Sequence, residues 1–363
     1  MATDTTGTPE ATCIHALSLL TLAPSRAEQV YTQLRDLSDA DFAELVSLAD
    51  SNHVVLRALL PLQQMADERG DTALAERCAK CIERERQRIA NAIQHLFLVT
   101  EALEAAACPT TVMKSLEHWP DLGNDLDLYT TASAAQVCQV MSSRFHAHIE
   151  PRSWGDRLAN KWNFTVAGLP EAVEVHAQRL GQTGEQTAMA LRFVSRRVAK
   201  SVLGFEFSVP APEERIIVAT LQRMYRHFYF RVCDIVNIAA LVESGTVDFA
   251  ELRRSAMMGG IWKGVCSLLR IVSDYVQQYR GTPVPLPTEV IAAAPFGGEK
   301  VYVRSRFIRV PIMPQGTQLY AAQVTDAALR GDLEGTFRLS LLPYLASAAA
   351  ISYKLTGSDK GIW

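Results

Sequence analysis

The sequence has no long apolar run and no excess of charge of either sign. Its apolar segments, such as Ala58 to Leu62 and Leu341 to Ile351, are well short of the ~20 residues that a membrane-spanning helix needs. The 36 basic and 39 acidic residues give a net charge of −3, so no overall basic surface indicates nucleic acid, although a local patch keeps that partner open. We therefore expect a protein that does not span a membrane.

Cysteine pairs with the spacing of a zinc site are also scarce. The seven cysteines are scattered, and most have apolar neighbours, which is typical of buried thiols in a reducing compartment. Cys78 and Cys81 form a lone Cys-x-x-Cys in a helical pattern, which favours a structural role over zinc. The N-terminus has no basic stretch before an apolar core, so no signal peptide is expected. These features predict a cytoplasmic protein.

Length and periodicity predict an α+β fold in three parts. With 363 residues, 48% of them hydrophobic, the chain is long enough for two or three packed units. Residues 1–107 have a helical pattern, including one long helix or two helices from Thr72 to Ala107 after a break at Gly70 and Asp71. Residues 108–182 predict a small mixed α/β sheet, and residues 183–363 are predicted to be helical with a short β-hairpin near 300–312.

The predicted sheet has one helix and five short strand-like segments. Alternation or β-branched residues mark these segments, which are Thr110–Lys114, Asp125–Tyr129, His146–Ile149, Asn163–Val166 and Val173–His176. In the C-terminal part, one helical run is expected from Pro212 to Val242. A basic stripe recurs at helical spacing before it, and it predicts a solvated helix face or, alternatively, a guide for a polyanion. Its members are Arg192, Arg196, Arg197 and Lys200.

Three acids fall on the predicted strands with the spacing of a cation site. Asp125 and Asp127 are two residues apart, so a strand would point both carboxylates to one face. Glu174 and His176 share a face of another strand, which can bring Glu174 beside the aspartates if the strands are neighbours. Carboxylate oxygens suit Mg²⁺ or Mn²⁺, and three such acids can hold two metal ions.

A run of aromatic and basic residues, Met224 to Arg231, lies within the predicted C-terminal helix. Its aromatic side chains are expected to pack against the core rather than to stack on bases. His227, Arg231 and Asp234 lie within two turns of this helix. They either line a nucleotide pocket or form an intrahelical pair.

Taken in order, these segments resemble the uncharacterised bacterial nucleotidyltransferase family of the DNA polymerase beta-like nucleotidyltransferase superfamily. The segments are Lys114, Gly-Asn-Asp-Leu-Asp-Leu at 123–128, Val-Glu-Val-His at 173–176, and Pro-Glu-Glu-Arg at 212–215 followed by His227 and Arg-Val-Cys-Asp-Ile at 231–235. The resemblance covers roughly residues 95 to 245.

The resemblance implies a sheet of nucleotidyltransferase type and a metal-dependent transfer of a nucleoside monophosphate from an NTP, most simply ATP, to an acceptor hydroxyl. Asp125, Asp127 and Glu174 would be the catalytic metal ligands. The residues that would bind the nucleotide are Lys114, Ser115, Asn124, His227, Arg231 and Asp234. The acceptor is left open among a small molecule, a protein and RNA.

Two departures from the family pattern keep a second function open. Ser115 stands where the family usually has glycine after the lysine, and no arginine lies in the stretch from Pro120 to Asn124 before the aspartates. The alternative is a catalytically degenerate protein of the same fold that binds a nucleotide or a partner. Three intact acids favour the enzyme, because clustered carboxylates repel one another unless a cation is present.

Overall fold

The structure, a computed structural model, describes residues 9–356 and is mainly helical. The helices are α1 Pro9–Leu22, α2 Glu28–Arg35, α3 Asp39–Ser51, α4 Val55–Glu68, α5 Thr72–Ala105, α6 Ala134–Phe145, α7 Trp154–Leu158, α8 Thr187–Ala190, α9 Arg192–Ser195, α10 Pro212–Thr220, α11 Val232–Glu243, α12 Phe249–Met258, α13 Trp262–Arg280, α14 Thr288–Ala293, α15 Thr317–Leu329, α16 Leu333–Ser340 and α17 Leu342–Thr356. Among the described residues, none of these helices has both the length and the apolar character that crossing a bilayer requires.

The strands form one sheet of five strands and two smaller ones. They are β1 Thr110–Val112, β2 Asp125–Thr130, β3 His148–Ile149, β4 Lys161–Thr165, β5 Ala172–Ala177, β6 Arg197–Val202, β7 Phe205–Pro210, β8 Tyr229–Phe230, β9 Tyr302–Arg304 and β10 Phe307–Arg309. The main sheet has the order β1-β2-β5-β4-β3, in which β2 and β5 are parallel and the other pairs are antiparallel. The predicted mixed α+β architecture with a small mixed sheet is confirmed.

Side-chain caps explain where two N-terminal helices begin. The Oγ of Ser38 accepts a hydrogen bond from the backbone N–H of Asp41 at 3.2 Å, and α3 follows. The carboxylate of Asp71 accepts from the N–H of Leu74 at 3.2 Å, so the predicted break before the long helix α5 is confirmed.

A third cap comes from a distant part of the chain. Asp121 is 1% exposed, and its carboxylate accepts hydrogen bonds from the N–H groups of Leu56 at 2.6 Å and Arg57 at 3.2 Å, in the first turn of α4. The guanidinium of Arg57 donates to the carbonyl of Trp119 at 2.6 Å. The loop before β2 is thereby fixed to the N-terminal helices.

Replacing Asp121 by alanine is expected to lower the free energy of unfolding by about 2–3 kcal/mol, because two buried N–H groups lose their acceptor. Urea unfolding followed by circular dichroism measures this. Ser38→Ala, which removes an exposed cap, is the control and should cost only ~1 kcal/mol. Equal losses in the two variants would show that the buried cap of Asp121 stabilises the protein no more than the exposed cap of Ser38 does.

Asn52 joins three parts of the chain just after α3. Its side chain is fully buried, accepts a hydrogen bond from the N–H of Val232 at 3.0 Å and donates to the carbonyl of Arg306 at 3.1 Å. The N-terminal helices therefore hold the start of α11 and the loop between β9 and β10.

The expected helical pattern after residue 185 is wrong over residues 197–210, where β6 and β7 form a hairpin. Leu203 and Gly204 both have positive φ, +50° and +82°, which is the geometry of a two-residue hairpin turn. Phe207 and Val209, two residues apart, lie on the same buried face of β7. The two-residue alternation of a strand therefore determines the structure here, and the three- and four-residue spacing of the basic residues does not indicate a helix.

The basic stripe is likewise not a solvated helix face. Arg192 and Arg196 bind the carboxylate of Glu214, which is fully buried, at 2.9 and 3.2 Å. Arg196 also reaches Glu213 at 2.8 Å, and Arg192 contacts Glu251. Because both arginines form ion pairs with buried acids, they are not free to attract a polyanion.

The single helical run expected from residue 212 to 242 is interrupted. α10 continues as a π-helical segment, Leu221–His227, and Phe228 then takes a positive φ of 54°. The chain enters β8, which pairs with β10, before α11 begins. The hairpin predicted near 300–312 is confirmed as β9 and β10, and β8 extends it.

Candidate metal and nucleotide site

The parallel pairing of β2 and β5 brings three polar side chains together at the centre of the main sheet. Asp127 lies opposite Glu174 in the register, and His176 follows two residues later on the same face. One ligand atom from each of the three lies within 4.8 Å of the others, and the residues are between 7 and 9% exposed. The intervening apolar residues, such as Leu126 and Val173, are fully buried on the opposite face. The alternation in the sequence therefore creates a buried acidic cluster.

Glu174 is the most highly connected member of this cluster. It binds the Nε2 of His176 at 2.8 Å and the Nζ of Lys161 at 3.0 Å. Lys161 also reaches Asp156 at 2.8 Å, and the Nζ of Lys114 lies 4.0 Å from Glu174. Because β4 is antiparallel to β5, Lys161 lies opposite His176 in the register. One carboxylate thus has three basic neighbours.

Lys114 and Ser115 lie where the chain leaves β1. The ammonium of Lys114 contacts the carboxylate of Asp127. The Oγ of Ser115 accepts from the N–H of Asp127 at 2.8 Å and donates to the carbonyl of Asp125 at 3.2 Å. The Ser115 hydroxyl therefore serves the backbone of β2, whereas the Lys114 side chain faces the acids.

The two central carboxylates have opposite pKa shifts. Burial raises the pKa of Asp127 to about 7, with Lys114 opposing the shift and Glu174 reinforcing it. Burial also raises the pKa of Glu174, but the hydrogen bond with His176 and the charges of Lys114 and Lys161 outweigh it, so the pKa lies well below its usual value. Of the two carboxyl groups, that of Asp127 therefore has its charged form less fully stabilised by neighbouring groups.

Asp125 lies two residues before Asp127 but remains open to solvent. Its side chain is exposed at the start of β2, and Asn124 is exposed in the preceding loop. Partial desolvation and the negative charge of Glu174 raise the pKa of Asp125, while Lys114, Lys161 and Arg231 oppose that shift. Among the described residues, the tight group contains Asp127, Glu174 and His176 but not Asp125. The role of Asp125 as a metal ligand stays a prediction.

A second, basic cluster lies beside the acids. Arg223 is 1% exposed, and its Nε lies 2.7 Å from the carboxylate of Asp234, which also accepts from the backbone N–H of Arg231 at 2.7 Å. Within the part of the chain that is described, Nη1 of Arg223 and Nε of Arg231 are buried without a hydrogen-bond partner. Such atoms are costly unless a ligand or water pairs with them.

His227 and Tyr229 adjoin these arginines. Burial, reinforced by the charges of Arg226, Arg223 and Lys114, lowers the pKa of His227 to about 2, so the imidazole is neutral. The ring of Tyr229 stacks on Phe307 at 4.4 Å between centroids, with the guanidinium of Arg223 5.5 Å away. His227, Arg231 and Asp234 do not share a helix, because Phe228 and β8 separate the first from the other two.

The sequence of this chain matches no protein-family model, and no curated protein resembles it closely enough to count as a match. Function therefore has to be inferred from the chemistry of the site residues.

Three residues of the site were not among those predicted to form it. Lys161 and His176 join through the pairing of β4 with β5. His176 was predicted to share a strand face with Glu174, whereas Lys161 lies before the predicted strand at Asn163, which in the structure begins at Lys161. Arg223 is buried beside Asp234, a contact across eleven residues that bridges two elements. Arg223 lies just before the aromatic and basic run Met224 to Arg231, so no part of that pattern pointed to it.

Proposed function

We propose that this protein is a metal-dependent nucleotidyltransferase whose main sheet is of nucleotidyltransferase type. It would transfer a nucleoside monophosphate from an NTP to an acceptor hydroxyl and release pyrophosphate. The observation that carries the proposal is the buried pair Asp127 and Glu174 on neighbouring parallel strands, with Arg231 acting electrostatically on the adjacent Asp125. Among the described residues, Arg223 and Arg231 each have a buried nitrogen without a hydrogen-bond partner. An acidic cation site next to a basic anion site is what binding a metal–triphosphate requires.

The acidic residues fit a divalent cation. Asp127 and Glu174 lie within reach of one ion, and Asp125 is accessible from the solvent side. The raised pKa of Asp127 shows that burial penalises its charged form by more than Lys114 offsets, and a bound cation would favour that charged form. His176 would orient Glu174 through their hydrogen bond. Mg²⁺ or Mn²⁺ bound there would lower the pKa of an acceptor hydroxyl and neutralise phosphate charge.

The basic residues fit the phosphates. Nη1 of Arg223 and Nε of Arg231 are buried donors without partners, and Lys114 adds an ammonium near the acids. These side chains supply the positive charge that the sequence lacks just before Asp125. Guanidinium groups suit phosphate because their donors are fixed in a plane.

In the proposed reaction, the acceptor oxygen forms a bond to the α-phosphorus as the bond from that phosphorus to the bridging oxygen breaks. Pyrophosphate leaves with the electron pair, and the hydroxyl proton passes to water. Lys114, Arg223 and Arg231 stabilise the charge that develops on the phosphoryl and leaving oxygens.

One observation favours the alternative, a nucleotide- or partner-binding module without turnover. Lys114 contacts Asp127 directly, so part of the acidic charge is balanced within the protein. Such a module would bind an NTP through the arginines without needing a metal ion. The dependence of binding on the metal separates the two functions.

Calorimetric titration of ATP, GTP, CTP and UTP, each with and without Mn²⁺, tests the proposal. We expect at least one NTP to bind only with Mn²⁺. Arg231→Met should weaken that binding about tenfold, the value of a charged hydrogen bond. Arg86→Met, on the exposed face of α5, is the matched control and should leave the affinity unchanged. Binding that ignores the metal would support the module, and no binding at all would refute both functions.

A further inference from the structure

A cavity of about 580 Å³ adjoins the acidic cluster. Lys114 and His176 form one end, the π-helical segment 221–227 forms a side, and α15 and α17 close it with Gln323 and Leu342. Its volume lies within the range of small-molecule sites. A small molecule in the cavity would reach the residues that surround Asp127 and Glu174.

Most of the cavity surface is apolar, although the charged residues Lys114, Glu185 and Arg226 also line it. Two polar groups of the lining are unsatisfied among the described residues. Gln323 is 1% exposed, and its amide nitrogen has no hydrogen-bond partner among the described residues. His176 is 7% exposed, and its Nδ1 has no partner there either. A buried donor without an acceptor costs about 1–3 kcal/mol, so a bound molecule that supplies the acceptor would recover that free energy.

The hydrogen bond to Glu174 determines what His176 offers to the cavity. An ionised carboxylate only accepts, so Nε2 donates to Glu174 at 2.8 Å and Nδ1 is the ring nitrogen left without a partner among the described residues. A hydroxyl group can pair with Nδ1 in either protonation state, because a hydroxyl both donates and accepts. A molecule that matches both groups carries an oxygen acceptor toward Gln323 and a hydroxyl toward His176, with an apolar body between them.

The cavity lies on the acceptor side of the site. Lys114 and His176 line it, whereas Arg223 and Arg231 do not. Arg231 acts electrostatically on Asp125, while His176 binds Glu174. An in-line displacement places the attacking oxygen opposite the leaving pyrophosphate. With pyrophosphate at the arginines, the attacking hydroxyl comes from the side of His176.

We infer that the cavity binds the acceptor of the transfer, and that this acceptor is a small, largely apolar molecule with a hydroxyl group and an oxygen that accepts from Gln323. The inference rests on the proposed function and answers the question that the sequence leaves open among small molecule, protein and RNA. The hydroxyl oxygen of this molecule forms the new bond to the α-phosphorus, pyrophosphate leaves with the electron pair, and the proton passes to water.

The first test uses the apolar fluorophore 8-anilinonaphthalene-1-sulfonate as the probe of the cavity. Wild type should bind it, and saturating Mn²⁺ with the preferred NTP should leave it bound. Leu342→Trp/Ala346→Trp, which fills the cavity wall at α17, should weaken fluorophore binding at least about tenfold and change NTP affinity by less than about twofold. Leu329→Trp/Leu333→Trp, at two positions more than 80% exposed, is the control and should change neither.

The outcomes separate this inference from the proposed function. Displacement of the fluorophore by the NTP, with loss of NTP binding in the Leu342→Trp/Ala346→Trp variant, would assign the cavity to the nucleoside and overturn the inference alone. Unchanged fluorophore binding in that variant would also overturn it. Failure of wild type to bind any NTP would remove the proposed function and the inference together.

The second test follows the label from an α-³²P-labelled NTP. Wild type is incubated with Mn²⁺ and the fraction of a protein-free cell extract below about 1 kDa, the size range that such a cavity admits. We expect a labelled small molecule, which the Leu342→Trp/Ala346→Trp variant does not form and Gln323→Leu forms about tenfold more slowly at unchanged NTP affinity. Label on added RNA or on the protein, or no labelled small molecule despite NTP binding, would overturn the inference.

Discussion

An Asp125→Asn/Asp127→Asn variant is expected to bind Mn²⁺ on the order of 10³-fold more weakly than wild type, because loss of even an indirect partner of a metal costs about 10–100-fold. Asp127 is 7% exposed and opposite Glu174, so its amide replacement leaves one buried carboxylate for the ion. Calorimetry with Mn²⁺ alone, then with the NTP, measures both losses.

A pair with the same spacing on a helix provides the control. Asp39 and Asp41 are exposed in the first turn of α3, where residues two apart diverge. Asp39→Asn/Asp41→Asn should leave Mn²⁺ affinity unchanged. Circular dichroism establishes that each variant is folded. If a folded Asp125→Asn/Asp127→Asn variant binds Mn²⁺ as wild type does, the metal site is elsewhere.

Replacing Arg192 by alanine is expected to lower the free energy of unfolding by about 3–5 kcal/mol, the cost of leaving a buried charge without its partner. Arg192 donates to the fully buried Glu214 at 2.9 Å and contacts Glu251, which is 7% exposed. Arg196 remains 3.2 Å from Glu214 and 3.5 Å from Glu251, but the same guanidinium also binds Glu213 at 2.8 Å. Urea unfolding followed by tryptophan fluorescence gives the change.

Arg254 gives a matched comparison, because it contacts the same Glu251 from the solvent side. Its side chain is 67% exposed, so Arg254→Ala should cost less than about 1 kcal/mol. The difference between the two variants isolates the effect of burial. A loss below about 1 kcal/mol for Arg192→Ala as well would show that these acids are held by other groups or are protonated in the folded protein.

The strands of the main sheet could be predicted because their side chains alternate with a period of two. Asp127 and Glu174 stand between buried leucines and valines, so strand geometry alone places each of them on the face of its own strand opposite these apolar residues. Helix α5 was predictable from its length and its cap at Asp71. These features are local, and the sequence carries them within a few residues.

The missed features depend on contacts between distant segments. The spacing of Arg192, Arg196 and Lys200 predicts a helix where the structure has β6. In the structure, Arg192 and Arg196 are positioned by the acids that they bind, and Lys200 lies in the β6–β7 hairpin. The run after α10 ends at Phe228 because β8 pairs with β10, some eighty residues away in the sequence. No pattern within one segment reports a pairing of that kind.

The residues of the site were predictable to a similar extent. The faces of β2 and β5 could be derived, but the order of the strands could not, and the position of Lys161 beside Glu174 depends on that order. The role of Arg223 could not be predicted for the same reason, since its guanidinium is buried against Asp234, which lies in a later element. The acids follow from local pattern, and their basic partners follow from topology.

The hydrogen bonds of Asn52 affect the order in which parts of the protein fold. Its buried amide joins the end of α3 to Val232 and Arg306, so Arg231 reaches its place only when three distant stretches have docked. Contacts of such sequence separation form late in folding. We therefore expect the acidic strands β2 and β5 to pair before Arg231 reaches its place, so that Asp127 and Glu174 come together earlier in folding than Arg223 and Arg231 do.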